Sequence, residues 1–350
     1  MRHPPLSGAR PVLAIAAVLT LGAAWLVLAR AQPAGAAAEL PLAPVMRLGS
    51  DEGDPRRAFG LVADVATDDA GRLFVLDALM NRVAMFTREG RPLGTLGEAG
   101  RGPGELALPA AMAVDPAGRV YVLDRLTSRI SVFEVEGARP AGTLRIDFGG
   151  EDLCLLGGRL YVLGERGGRL IHELDPATGA VVRSFAPDPA ARNPLLRSTR
   201  SSGYLGCGGD GEILFLPLLL PEVRRYSAST GRLAATLPLP GYRAVRVEDR
   251  GDEVVFRAPS GGRHHMASSL APLGGGRWLV QIGFARQGSR SQHEIESIRS
   301  YLLPARGPLR EIGGELPRVV AIRSDTAFSA ATSPYPNVGI FHLRARGEEE

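Results

Sequence analysis

The sequence contains no lysine, so arginine supplies all 41 of its basic residues. Three of these arginines, Arg2, Arg10 and Arg30, lie within residues 1–31, which contain no acid. The remaining arginines nearly balance the 37 acidic residues. A nucleic-acid-binding surface requires a clustered excess of positive charge. We therefore expect no nucleic-acid partner.

Long apolar runs are also scarce, and Val12–Ala29 is the only one long enough for a targeting segment. Arg2 and Arg10 precede this run, and small residues at 29–31 and 36–38 match the pattern of a signal cleavage site. The run is long for a signal and short for a membrane-spanning helix. We predict a signal peptide or membrane anchor at 1–31 and a linker at 32–42. The body would then be periplasmic or extracellular, and it would contact the inner membrane only through an uncleaved segment.

The rest of the chain lacks a convincing amphipathic helix and instead repeats strand signals. An apolar strand follows a turn glycine in "GRLFVLD" at 71, "GRVYVLD" at 118 and "GRLYVLG" at 158. A second apolar stretch ends in a glycine six times, at Gly90, Gly137, Gly179, Gly231, Gly307 and Gly347. Repeats of about 40–50 residues with only strand signals are typical of β-propellers with four strands per blade. We predict an all-β, six-bladed propeller over 43–347 and a tail at 348–350.

The two ends of the body predict how the ring closes. Gly347 lies too near the end for another strand to follow it, so the last repeat lacks a fourth strand. Residues 43–50 resemble the fourth strand of another repeat at 91–98. We expect 43–50 to complete the blade formed by roughly 315–347, because this closure leaves no unpaired sheet edge.

The stretch 68–137 resembles the NHL repeat. "GRLFVLD" followed by "NRVAMF" is similar to the strand, acid and turn of that repeat, and "GRGPGEL" is similar to its glycine-rich link. The similarity weakens after 160, and Gly164 and Pro217 stand where Asp77 and Asp124 provide the acid. The resemblance implies an exported bacterial six-bladed propeller. Some NHL-like propellers are metal-dependent lyases or lactonases and others bind RNA or protein, but their metal ligands have no residue-by-residue match here.

Strand direction places the longest connections together. In antiparallel blades, the links between strands two and three and between blades lie at one end of the ring, which we call the loop face. The long segments 186–203, 240–264 and 284–297 all belong to this class. Long loops on a rigid scaffold commonly carry function.

These loops contain the candidate ligand-binding residues. Arginine suits carboxylate and phosphate groups because its guanidinium donates paired hydrogen bonds. A solvated loop of a chain without lysine would also carry arginine for no special purpose. The candidate set is Arg197, Arg200, Arg243, Arg263, His265, Arg286 and His293.

We expect a monomeric recognition module without a cofactor, which binds a protein, a peptide or a small anionic ligand on the loop face. The alternative is a metal-assisted lyase or hydrolase of the NHL-like type, with a divalent metal held by His265, His293 and Glu294. Surface histidines without a metal would give the same pattern. A third possibility is a purely structural envelope protein.

Asp77, Asp124 and the two cysteines have structural interpretations. Each acid precedes a turn, where a carboxylate accepts main-chain N–H bonds. Cys154 and Cys207 each lie four residues before a turn glycine. Equivalent positions in neighbouring blades point the same way around the ring, so we predict that one thiol turns away and that both remain unbonded.

Overall fold

The ring closes through strands from the two ends of the body. The computed structural model describes residues 38–50, 54–188, 193–251, 253–287 and 293–344, so the segment predicted at 1–31 lies outside it. Strand β1 (Leu42–Leu48) pairs antiparallel with β28 (Asn337–Leu343). It is the fourth strand of the blade whose other strands are β26 (Val319–Arg323) and β27 (Thr326–Ala331). The predicted six-bladed propeller and its closure by an N-terminal strand are confirmed.

Each of the other five blades is a four-stranded antiparallel sheet formed in chain order. Blade one contains β2 (Val62–Thr67), β3 (Leu73–Asp77), β4 (Arg82–Phe86) and β5 (Pro92–Leu96). Blade two contains β8 (Pro109–Val114), β9 (Arg119–Asp124), β10 (Arg129–Glu134) and β11 (Arg139–Arg145). Blade three contains β12 (Gly150–Leu156), β13 (Arg159–Arg166), β14 (Arg169–Leu174) and β15 (Val181–Pro187).

Blade five carries the longest strands, and long links precede both blade four and blade five. Blade four contains β16 (Gly203–Gly208), β17 (Glu212–Pro217), β18 (Glu222–Ser227) and β19 (Leu233–Pro238). Blade five contains β22 (Arg263–Gly274), β23 (Arg277–Gln287), β24 (His293–Leu303) and β25 (Arg310–Glu311). Four short strands lie in the links between blades: β6 (Glu98–Ala99), β7 (Glu105–Leu106), β20 (Arg246–Asp249) and β21 (Val254–Arg257). The described residues also contain a helix, α1 (Pro194–Ser201), which the sequence analysis did not anticipate.

The unbroken apolar runs of the sequence are explained by packing between blades. In β3, Leu73 and Val75 pack toward blade six in one buried cluster. Phe74 and Leu76 pack toward blade two in another. Because successive side chains of a strand point to opposite faces, a strand covered on both sides must be apolar at every position.

A disulfide between Cys154 and Cys207 shows that the prediction of two unbonded thiols was wrong. The cysteines lie on the first strands of blades three and four, with Cα atoms 5.7 Å apart. The hairpin after β12 turns over residues 157–158, whereas the hairpin after β16 turns over 209–211. This one-residue difference shifts the register of one strand, and a shift of one residue moves a side chain to the opposite face. The two thiols therefore point toward each other.

Candidate functional site

Three segments with regular secondary structure form the loop face over blades three to five. Helix α1 occupies the link from blade three to blade four, and the β20–β21 hairpin occupies the link from blade four to blade five. The third segment differs from the expectation of a long loop at 284–297, because β23 and β24 extend through most of it and pair from Trp278–Leu303 to Gln287–His293. Much of the expected loop is therefore ordered sheet.

The candidate arginines of blade five form ion pairs with a nearby acid. Arg263 Nε lies 3.0 Å from one carboxylate oxygen of Glu296, and Arg286 Nε lies 2.9 Å from the other. Arg243 places its guanidinium 5.9 Å from the centre of the Phe284 ring. These three arginines are brought together, and two of them share one counter-ion.

The other two candidate arginines belong to α1. Arg200 Nη1 lies 3.5 Å from an Asp188 carboxylate oxygen. The main-chain N–H of Arg197 donates to the Asn193 carbonyl within the first turn of the helix. This pair stands on a different link from Arg243, Arg263 and Arg286, so the arginine candidates form two groups rather than one cluster.

The structure describes two of the histidine side chains considered for a metal site. His264 and His265 are both buried, because β22 begins at 263 and carries them into the sheet. His265 Nδ1 accepts the main-chain N–H of Arg243 at 2.7 Å, and burial lowers the pKa of His265 to about 4. The side chains of His293 and Glu294 lie outside the described residues. No group of three or more histidine, cysteine or acidic side chains among the described residues is arranged to hold a metal ion.

A channel with a volume of about 640 Å³ runs between the first strands of the six blades. Leu61, Arg125 and Arg318 border it at the loop-face end, and Cys207 and Arg323 lie toward the other end. Small and apolar residues form most of the remaining wall. Its size falls within the range of about 300–1,000 Å³ that is typical of small-molecule sites.

Two aspartates that sequence analysis missed join neighbouring blades at this channel. Asp64 in β2 accepts the main-chain N–H of Met112 in blade two at 2.9 Å. Asp152 in β12 accepts the main-chain N–H of Leu205 in blade four at 2.7 Å. The second oxygen of each carboxylate accepts the N–H of the following residue in its own strand. Both side chains therefore stabilise the junction between two first strands.

The two carboxyl groups hold their protons more tightly than ordinary aspartates. Burial raises the pKa of Asp64 to about 6, although the positive charge of Arg318 opposes this rise. Burial also raises the pKa of Asp152 to about 8, and the negative charge of Asp64 adds to that effect. At neutral pH, Asp152 is mainly neutral while Asp64 is mainly ionised.

A buried amide joins the third pair of blades. Gln281 Oε1 accepts the main-chain N–H of Val319 in blade six at 2.7 Å and the Ser269 hydroxyl at 2.8 Å. Its Nε2 donates to the Ser300 hydroxyl and the Pro317 carbonyl, both at 2.9 Å. Polar side chains thus connect blades one to two, three to four and five to six.

Arg318 reaches across the loop-face half of the channel. It precedes β26 in blade six, and its Nε donates to the Ser268 carbonyl in blade five at 3.0 Å. Its Nη2 lies 3.5 Å from the Tyr204 hydroxyl in blade four. This single side chain therefore spans three blades.

Asp77 and Asp124 hold the backbone of the loop face over blades one and two, as the sequence predicted. Asp77 accepts main-chain N–H bonds from Gly60 and Leu61 at 3.0 Å and from Met80 at 3.2 Å. Asp124 accepts the corresponding bonds from Ala107, Leu108 and Thr127. Each acid therefore fastens the turn between strands two and three to the incoming link.

The segments held by these two acids present large apolar side chains to solvent. Leu79 is 67% exposed and Met80 is 50% exposed. Leu61, Leu108 and Leu126 are also exposed. We call these five residues the apolar ridge.

Comparisons with known proteins support the fold. A family model described as "6-bladed beta-propeller" matches residues 58–166, which span blades one and two and the first two strands of blade three. No curated protein sequence matches the chain. Among the described residues, no helix is long and apolar enough to cross a bilayer.

Solved structures from several functional classes have a similar architecture. The RRP9 WD40 repeats match with a TM-score of 0.55 and 13% identity, over 87% of this chain and 100% of theirs. A Bacteroides fragilis protein described as exported matches with a TM-score of 0.53 and 11% identity, over 88% and 95%. Virginiamycin B lyase from Staphylococcus aureus matches with a TM-score of 0.50 and 13% identity, over 87% and 100%. At these identities, the likeness shows a propeller fold alone.

Proposed function

We propose that this protein is an exported recognition module that binds a protein or peptide partner on its loop face, with the apolar ridge as the central contact. The supporting observation is the distribution of exposed large apolar side chains. Seven of the eleven in the described residues lie at loop-face ends: the five ridge residues, Phe256 and Ile295. The other four lie on the outer strands β1, β5, β15 and β19.

The backbone that carries the apolar ridge is held in a fixed conformation before any partner binds. The buried carboxylates of Asp77 and Asp124 fix the turns and links from which the leucines project. A surface held in its bound conformation loses little conformational entropy when a partner docks. Exposed apolar patches on monomeric proteins commonly mark such contact sites.

The charged half of the loop face supplies a polar border for the same partner. We propose this role for Arg197, Arg200, Arg243, Arg263, Arg286 and His293, while buried His265 supports the backbone of Arg243. Protein interfaces commonly combine an apolar centre with a polar, solvated rim. The proposal includes an NHL-type repeat, a signal peptide or anchor at 1–31, a monomeric chain and a periplasmic or extracellular location.

A peptide library displayed on phage, selected on the purified chain, tests the proposal. The ridge variant Leu79→Ser/Met80→Ser/Leu126→Ser would be compared with Leu93→Ser/Val182→Ser, which removes exposed apolar residues from outer strands. Selected peptides should bind the wild type and the outer-strand variant equally. They should bind the ridge variant at least about tenfold more weakly, because each of the three substitutions removes an apolar contact that contributes of order 1 kcal/mol. Equal binding to the ridge variant, or no selected peptide, would count against the proposal.

A further inference from the structure

We propose that the channel is a second binding site, which takes a carboxylate attached to an apolar group, with Arg318 and Tyr204 as the donors. This site lies inside the ring and does not depend on partner binding at the apolar ridge.

Arg318 differs from the other arginines that border the channel. Arg125 lies 2.7 Å from a carboxylate oxygen of Glu151. Arg323 is paired with Asp69. Arg318 forms no salt bridge with any carboxylate in the described part of the chain, and its bonds to Ser268 and Tyr204 use neutral acceptors. Its guanidinium therefore brings a positive charge to the channel that no described carboxylate contacts directly, although the charge of Arg318 does act on Asp64 from a longer distance.

The nearby acids are already engaged with main-chain donors. Both carboxylate oxygens of Asp64 accept N–H bonds, and so do both oxygens of Asp152. These interactions direct the two acids toward the channel wall rather than toward the guanidinium. A ligand anion can consequently reach Arg318 without displacing an existing ion pair.

The hydrogen-bond donors Arg318 and Tyr204, together with the apolar channel wall, indicate which kind of ligand would bind. One guanidinium edge and one phenolic hydroxyl offer the few directed hydrogen bonds that suit a monoanionic carboxylate. A phosphate would bring more negative charge close to the ionised Asp64, with few donors to stabilise it. Leu218, Leu270 and Val320 line the same half of the channel, so the group that carries the carboxylate should be apolar.

Two sources can supply this chemistry, namely a free aliphatic acid and the C-terminus of an apolar peptide. Isothermal titration calorimetry on the purified full-length chain would compare octanoate with 1-octanol, and acetyl-leucyl-leucine with its C-terminal amide. Octanol and the amide keep the apolar group and remove the charge. Tighter binding of octanoate than of the dipeptide would identify a free acid, and the reverse order would identify a peptide terminus.

Single substitutions at the channel would show which side chains contribute to the affinity for the carboxylate. Arg318→Gln should weaken carboxylate binding about tenfold or more, because a hydrogen bond to a charged group is lost. Tyr204→Phe should weaken it a few-fold. Arg323→Gln, which alters a paired arginine at the opposite end of the channel, should leave the affinity unchanged within about twofold. Arg318→Lys keeps the charge and should retain part of the affinity, and thermal melting would establish that each variant is folded.

Several results would overturn the site. These are equal octanoate affinity in wild type and Arg318→Gln, octanol binding as tightly as octanoate, and absence of binding by both acids up to their solubility limits. The ridge variant Leu79→Ser/Met80→Ser/Leu126→Ser should bind the carboxylate normally. Failure of the channel site and failure of the loop-face proposal are therefore distinguishable.

Discussion

Asp152 accepts the main-chain N–H of Leu205. Each of these residues lies two positions before a cysteine in its own strand, and the two cysteines form a disulfide. The hydrogen bond and the Cys154–Cys207 disulfide lie on the same pair of first strands. The junction between blades three and four is therefore fastened by a covalent bond as well as by a polar side chain. The corresponding junction between blades one and two relies on Asp64 and Met112 without a disulfide.

We expect Cys154→Ser/Cys207→Ser to lower the free energy of unfolding by about 2–4 kcal/mol, because the disulfide closes a loop of 53 residues in the unfolded chain. Urea denaturation followed by tryptophan fluorescence would measure this change. A reductant should lower the midpoint of the wild type and leave the double variant unaffected. An unchanged wild-type midpoint would contradict the prediction.

Removal of the Asp77 carboxylate should destabilise blade one. Asp77→Ala leaves the N–H groups of Gly60, Leu61 and Met80 without their acceptor, which should cost about 1–3 kcal/mol. Glu136→Ala is the control, because Glu136 is exposed and forms a surface pair with Arg72. That change should cost less than about 1 kcal/mol. Equal unfolding midpoints for the two variants would show that Asp77 does not hold the turn.

The raised pKa values of Asp64 and Asp152 predict that stability falls as the pH rises. The folded protein holds these protons up to about pH 6 and pH 8, whereas the unfolded chain releases them near the ordinary aspartate pKa of about 3.9. Their contribution is complete below about pH 4 and is lost progressively as the pH approaches 8. Unfolding free energies measured between pH 5 and pH 8.5 test this trend.

One variant separates Asp152 from the other charged groups at the channel, which are Asp64, Arg125, Glu151, Arg318 and Arg323. Asp152→Asn cannot titrate, so its stability should decline less steeply with pH than that of the wild type. A slope identical to that of the wild type would exclude Asp152 as the source.

Loss of the closing strand should change the association state. A chain without residues 38–48 lacks β1 and leaves the edge of β28 unpaired. Exposed strand edges promote pairing with other chains. Size-exclusion chromatography with light scattering should therefore detect oligomers, whereas removal of residues 1–37 alone should leave a monomer. A monomeric chain without β1 would contradict this expectation.

The fold was predictable because its signals are local and repeated. The turn glycines and the apolar second strands recur in successive blades, and the acids Asp77 and Asp124 repeat in the first two. Ring closure followed from counting strands at both ends. The buried histidines were missed because β22 extends through residues that the sequence suggested were a loop.

The channel was harder to predict because its key residues belong to first strands without a repeated motif. Asp64 appears in the sequence only as an acid within "VADVAT", and Asp152 within "EDLCLL". An acid inside an otherwise apolar innermost strand was the available signal. Arg318 carried no local signal, since its importance depends on how far its side chain reaches across two other blades.

The pairing of β1 with β28 also determines that the closing blade forms later than the other blades. One partner is among the first parts of the body to be synthesised and the other is among the last, so this blade cannot assemble while the ribosome is still making the chain between them. The earlier blades can form from neighbouring segments, but this blade must wait until β28 has been synthesised. A ligand or partner that requires the intact ring thus encounters a competent surface only after that point.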